Sequence, residues 1–284
     1  MKAAFVFTPA ESRRLIAKAV AQMPEVKAAL EKGYVIIPGS TGNAFVIEEL
    51  LGRATVPARY TAGIVCHGIL CVTPTEARDP SIPTILYKGK PVNKTIREAL
   101  DDFHKETVII KGANAIDPQG NVGVITSGFD GGTVAQIIGT VTSQGLKIIV
   151  PVGLEKLVAS VIEGSRVTGA KTLDYSMGAD FGMYCLTNTL PVTEITALDI
   201  LFGIKAVHVA SGGSGGAEGA VVLIAMGEEE RVKAAIELVE SIKGEKPLAP
   251  LKGICVSCRY ACRYAGLEEK DLPAWLQRTE RDLC

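Results

Sequence analysis

The sequence predicts an α/β fold in which a mostly parallel sheet carries helices on both faces, with a small α+β subdomain and a cysteine-bearing C-terminal tail added to it. Three observations carry that expectation. Short apolar runs lead repeatedly through glycine turns into amphipathic stretches, which is the grammar of strand–helix units. Of the 284 residues, 47% are apolar and 21% charged, enough to bury a large core without disulfide support. After about Thr187 the order changes to helix, strand, strand, helix, and a cysteine-bearing segment follows a linker. The expected division is therefore 1–187, 188–243 and 244–284.

Element by element, Thr8-Pro9-Ala10-Glu11 is a capping box with proline at the first helical position, and Leu15, Ile16, Ala19 and Val20 follow on one face. A helix is expected from Pro9 to Gln22. Pro24 opens a second helix that Gly33 ends, and Tyr34 to Ile37 reads as a buried strand running into Pro38-Gly39-Ser40-Thr41-Gly42-Asn43. Ala44 to Leu51 is helical. Thr107 to Ile110 and Val122 to Ile125 read as strands joined through the turn Asp117-Pro118-Gln119-Gly120. Ser127-Gly128-Phe129-Asp130-Gly131-Gly132 introduces a helix over Thr133 to Gln144, and Lys147 to Val150 is a strand leading through Gly153 into a helix over Leu154 to Ile162. The second half is expected to hold helix 192–202, strands 206–210 and 220–225, and helix 228–242.

Lys and Arg number 30 against 31 Asp and Glu, so there is no basic surplus for a phosphate backbone, and nucleic acid is not an expected partner. No apolar run reaches the length of a membrane span, and the N-terminus lacks the basic and apolar regions of a secretory signal. A cytoplasmic protein is expected, and its near-neutral, apolar-rich composition points to a homo-oligomer. Seven cysteines, an odd number, suit thiol or metal chemistry in a reducing compartment better than a disulfide framework.

A glycine-rich loop entering a helix presents free backbone N–H groups and the positive end of the helix dipole, which is the physics of anion capture. The expected binding residues for a small anionic metabolite are Gly39, Ser40, Thr41, Gly42 and Asn43 on the first loop, Lys111 and Asn114 past a strand end, Ser127, Gly131, Gly132 and Thr133 on the next, and Gly153 and Lys156 on the last. Asp130 and Glu155 are the acid–base candidates. Glu155 also reads as an ordinary first-turn helix charge, and Lys111 as a solvated strand-end residue. The run Ser211 to Gly216 is either a flap or a hairpin loop. No nucleotide fingerprint is present, neither the phosphate-loop lysine motif nor the dinucleotide glycine pattern. His67, His104 and His208 are isolated, and Cys66, Cys71 and Cys185 read as small packing residues. In the tail, Cys255, Cys258 and Cys262 crowd together and Cys284 offers a fourth thiol, a set suited to an iron–sulfur cluster or zinc.

Lys111-Gly112-Ala113-Asn114-Ala115-Ile116, then Gly120-Asn121-Val122-Gly123, then Lys147 to Val150 with Gly153 and Lys156, resemble the lactate-utilisation domain over about residues 30–165. That domain belongs to the superfamily of ribose-5-phosphate isomerase, glucosamine-6-phosphate deaminase and CoA transferases. Gly39-Ser40-Thr41 is similar to the isomerase phosphate loop, and Glu155-Lys156-Leu157-Val158-Ala159 to the segment carrying its base. Where the isomerase has Asp-Gly-Ala-Asp-Glu, this chain has Asp130-Gly131-Gly132-Thr133. The resemblance implies a sugar-phosphate, CoA-ester or organic-acid ligand, proton transfer by Asp130 and Glu155, and association with iron–sulfur partners. Two functions follow as expectations: an enzyme, of isomerase or transferase type, acting on a small phosphorylated or carboxylated metabolite, or a non-catalytic ligand-binding or redox-accessory protein carrying a metal.

Overall fold

Thr8 separates two elements that the chain sets side by side: strand β1 (Lys2–Phe7) and helix α1 (Pro9–Gln22). The capping box forms as expected, with Thr8 Oγ1 accepting from Glu11 N at 3.4 Å and the Glu11 carboxylate accepting from Thr8 N at 2.9 Å. The computed structural model describes residues 1–277, and it shows an α/β protein. After α1 come α2 (Pro24–Lys32), β2 (Tyr34–Ile37) and α3 (Thr41–Leu51). Next are a hairpin of β3 (Gly63–Cys66) and β4 (Ile69–Val72), then β5 (Thr84–Tyr87), β6 (Lys90–Pro91) and α4 (Ile96–Asp101). The middle of the chain holds β7 (Val108–Ile110), β8 (Ala115–Ile116), β9 (Val122–Thr126), α5 (Gly132–Gln144), β10 (Lys147–Pro151) and α6 (Val161–Arg166). It ends with β11 (Gly182–Leu186), β12 (Leu190–Val192), α7 (Glu194–Phe202), β13 (Lys205–Gly212), β14 (Ala220–Met226) and α8 (Glu229–Ile242).

The central sheet has six strands in the order β12-β10-β7-β2-β5-β6. The first four are parallel, and β5 and β6 extend the sheet antiparallel. Strands β2 and β7 are buried along their whole length, as continuous apolar runs sandwiched between helices should be. Alternate residues serve two cores. Val35, Ile37, Val108, Ile110 and Ile149 face α1, α3 and α7, whereas Tyr34, Ile36, Ile109, Ile148 and Val150 face α4 and α5. The other sheets are antiparallel: β1-β14-β13, β11-β9-β8, and the hairpin β3-β4. Among the described residues, parallel strand-to-strand ladders are thus confined to four strands of one sheet, beside the isolated parallel bridges Leu70–Gly178 and Ile116–Leu157.

Two local expectations are corrected. The turn Asp117 to Gly120 does not join strands 107–110 and 122–125; it closes the hairpin β8–β9, which leaves the central sheet altogether. Buried Asp117 explains why: its carboxylate accepts from Gln119 N, Asn121 N and Nδ2, and Val161 N at 2.9–3.1 Å, fixing the turn against the start of α6. Second, Leu154 to Ile162 is not one helix. A single 3₁₀ turn, Leu154–Lys156, gives way to extended backbone because Val158 N donates to Ile116 O at 2.8 Å, and Ser160 then caps α6 by accepting from Glu163 N.

Residues 188–243 share the main core. Strand β12 lies in the central sheet, α7 packs on α1, and β1 pairs with β14 along its length. Glu11, 3% exposed, ties this region to α1 by accepting from Lys243 Nζ at 2.6 Å and from Gly244 N at 3.0 Å. The segment beyond α8 lies on the β3–β4 hairpin and forms a small core of its own from Ile69, Cys255, Tyr264, Leu272 and Leu276.

Candidate functional site

Four loops leave the carboxyl ends of the parallel strands: Pro38 to Asn43 after β2, Lys111 to Asn114 after β7, Val152 to Lys156 after β10, and Thr193 to Glu194 after β12. Hydrogen bonds tie them to one another. Buried Asn43, held by the Ser40 cap of α3, donates from Nδ2 to Pro38 O and Ile110 O, both at 2.7 Å. Lys156 Nζ donates to Ala113 O at 2.9 Å, and Leu154 N donates to the Glu194 carboxylate at 2.9 Å. A Cβ on Gly153 would fall on the Glu155 carboxylate and 3.1 Å from Glu194 Oε1, so glycine is what lets the two carboxylates close over this turn. From the opposite side α1 supplies Arg13, whose guanidinium lies 3.8 Å from Glu155.

The result is a buried cluster of three cations, Arg13, Lys111 and Lys156, with two carboxylates, Glu155 and Glu194. Glu194 is fully buried and Lys111 is 8% exposed. Burial, reinforced by repulsion from Glu155, pushes the Glu194 carboxyl up to about 7. Burial, reinforced by Lys156, brings the Lys111 ammonium down to about 8, and its Nζ reaches Gly112 O at 3.1 Å. Burial also lowers Lys156, against the attraction of Glu155. It lowers Arg13 against Glu155 and Glu194, although a guanidinium stays charged at any physiological pH.

Removing an ion from water costs several kcal/mol even after relaxation, and buried polar groups are ordinarily all paired. Here they are not. Among the described residues, the buried side-chain atoms lacking a hydrogen-bond partner include Arg13 Nε and Glu155 Oε2 of this cluster and Asn43 Oδ1 on the neighbouring loop, while the Ser12 hydroxyl bears on the Glu194 carboxylate. Arg13 Nε and Glu155 Oε2 lie where the loops leave the carboxyl ends of the parallel strands.

The structure therefore gathers Gly39, Ser40, Thr41, Gly42, Asn43, Lys111, Gly153, Glu155 and Lys156 at one edge. Other expected residues stand elsewhere. Asn114 is exposed, and its Oδ1 accepts from Ile125 N, bracing β8 against β9. Ser127, Asp130, Gly131, Gly132 and Thr133 follow β9 and not a strand of the central sheet. Asp130 is exposed, and its Oδ1 accepts from Gly132 N at 3.0 Å, closing the turn that enters α5. Arg13 and Glu194 were not foreseen: each reads in sequence as a surface charge on the first turns of a helix. In the Ser211 to Gly216 run, Ser211 and Gly212 end β13 and the rest opens the β13–β14 connection, and Gly219 beyond it packs against Pro9 and Glu155.

In the tail, Cys255 is buried, Cys258 and Cys262 are half-buried, and Cys284 lies outside the described residues. Among the described residues no three His, Cys, Asp or Glu side chains converge closely enough to hold a single metal ion, and no helix is long and apolar enough to cross a membrane. No protein-family model, curated protein or solved structure matches the chain.

Proposed function

We propose that the chain is an enzyme that binds a small phosphorylated or carboxylated metabolite at the carboxyl edge of its parallel strands and moves a proton on it. The observation that carries this reading is the cation excess of a buried cluster in which Arg13 Nε and Glu155 Oε2 lack partners: Arg13, Lys111 and Lys156 outnumber Glu155 and Glu194, and burial raises the Glu194 carboxyl to about 7. An anionic group supplies the missing negative charge and the missing hydrogen-bond acceptors at Arg13 and the lysines. Glu155, with one carboxylate oxygen unpartnered, is the base, and Glu194 beside it is the group placed to hold a proton. Asp130 is not needed for this chemistry. The resemblance to the sugar-phosphate isomerase and CoA-transferase superfamily supports the same ligand classes and the same edge of the sheet.

The test is a melting-temperature screen of sugar phosphates, CoA esters and hydroxy acids, since a ligand at a hundred times its Kd stabilises the folded state by about 2.7 kcal/mol. For the ligand so found, solvent deuterium incorporation is measured. Glu155→Gln is expected to abolish exchange while binding persists, and Asp130→Asn to leave both intact. Binding without exchange in the wild-type protein would favour a ligand-binding role without catalysis.

A further inference from the structure

The tail cysteines meet a fourth thiol that the sequence did not single out. Hairpin β3–β4 pairs Cys66 with Ile69 and Ile64 with Cys71, so these four side chains share one face. On that face sits the tail: Cys71 and Cys262 pack against the small core that contains Ile69 and Cys255. Backbone bonds fix the arrangement, with Gly253 N donating to Val72 O at 3.2 Å and Asp180 N to Ala261 O at 2.9 Å.

The register is informative. Leu70 pairs with Gly178 and Ala179 with Cys262, which puts Cys71, Ala179 and Cys262 in one row across three adjacent segments. Gly178 is obligatory at φ +100°, because a Cβ there would overlap Leu70 O. Cys255 opens a 3₁₀ turn that Cys258 ends, and residues three apart on such a turn eclipse, so both thiols emerge on the same side. Gly266 N returns to Cys255 O at 2.8 Å and Ala265 N to Cys262 O at 3.0 Å, folding the Cys262 turn onto the first. Lys252 Nζ reaches Cys255 Sγ at 3.6 Å.

We propose that Cys71, Cys255, Cys258 and Cys262 form a four-thiolate site for an iron–sulfur cluster, with Cys71 of the hairpin, not Cys284, as the fourth ligand. Neighbouring strands are about 4.8 Å apart, so Cys71 and Cys262 are separated by roughly twice that at the backbone. This span suits a multi-iron cluster better than one zinc ion, whose thiolates sit about 2.3 Å from the metal. Cluster binding replaces four exchangeable ligands by four thiolates and releases four thiol protons to solvent. The Lys252 ammonium stands against the resulting negative charge. The site is independent of the anion site at the sheet edge.

The full chain is incubated without oxygen with equal amounts of ferrous and ferric iron and with sulfide, or with zinc alone in a parallel arm, desalted, and assayed for iron, sulfide, zinc and visible absorption. Cys71→Ser, Cys258→Ser and Cys284→Ser are treated alike, with circular dichroism of the metal-free forms as the folding control. Wild type and Cys284→Ser are expected to retain iron, sulfide and the visible band, and Cys71→Ser and Cys258→Ser to lose most of each. In loaded wild-type protein, alkylation followed by mass spectrometry should find Cys71 protected, and this readout needs no variant to fold. Retention by Cys71→Ser with loss by Cys284→Ser, or ready alkylation of Cys71 in the loaded protein, would overturn the assignment of the fourth ligand. Stable zinc in place of iron, or no metal in either arm, would overturn the cluster.

Discussion

Two glycine turns that look alike in sequence, Ser127 to Thr133 and Val152 to Lys156, are put to opposite uses. Both follow an apolar strand and both carry a carboxylate. The second ends β10 in the middle of the parallel sheet, where neighbouring loops close over it and strip water from Glu155 and Lys156. The first ends β9, in a three-stranded antiparallel sheet, and leaves Asp130 in solvent, where it closes the turn into α5. What separates them is not local sequence but the sheet each strand joins, and hence whether other loops arrive to desolvate the turn.

If that contrast is real, truncation on the two sides should differ in size and even in sign. Glu194→Ala has the largest expected cost, about 3–5 kcal/mol by denaturant unfolding, since it orphans Leu154 N and leaves buried cations uncompensated. Lys111→Met is expected to stabilise the ligand-free protein by about 1–3 kcal/mol, because it removes a desolvated like charge, while abolishing anion binding. A loss of stability there would mean that Lys111 is a structural ion.

The pH dependence sharpens the same point. Glu194 titrates near 7 when folded and near 4.5 when unfolded, so the folded state holds the extra proton between those values, and this group's contribution to stability falls as pH rises from about 4.5 to 7. Glu11 acts oppositely: its lowered carboxyl contributes stability that is lost as pH drops below about 4.5. Urea melts across pH 4–8 should therefore show a downward slope above pH 5 that Glu194→Gln removes. On the other turn, Asp130→Ala should cost only about 0.5–1 kcal/mol, the worth of one exposed turn hydrogen bond. A larger loss would place Asp130 in a role that its surroundings do not suggest.

Much of this was legible in the sequence wherever the signal is local. The capping box of Thr8 and Glu11 marks α1 from Pro9 to Gln22, and the apolar runs at Tyr34 and Lys147 mark strands of the central sheet. Partnership was not legible. Strand β1 is a short alternating run whose partner β14 lies at the other end of the chain. Cys71 reads as a packing residue until the tail is folded onto its hairpin. Arg13 and Glu194 lie within helices whose exposed faces they seem to belong to, yet Glu194 follows strand β12 directly, in the same strand-to-helix position that singled out Glu155, and that repetition was the available clue.

The most direct test of the anion site is proton uptake on binding, measured by calorimetry at pH 8 in buffers of different ionisation enthalpy, with inorganic phosphate and a small hydroxy acid as probes. Burial brings Lys111 down to about 8, so an anion seated beside it should draw in a fraction of a proton per site, and Lys111→Met should lose both the binding and the uptake. Binding with no proton uptake, or with uptake unchanged in Lys111→Met, would contradict an anion site built on this cluster.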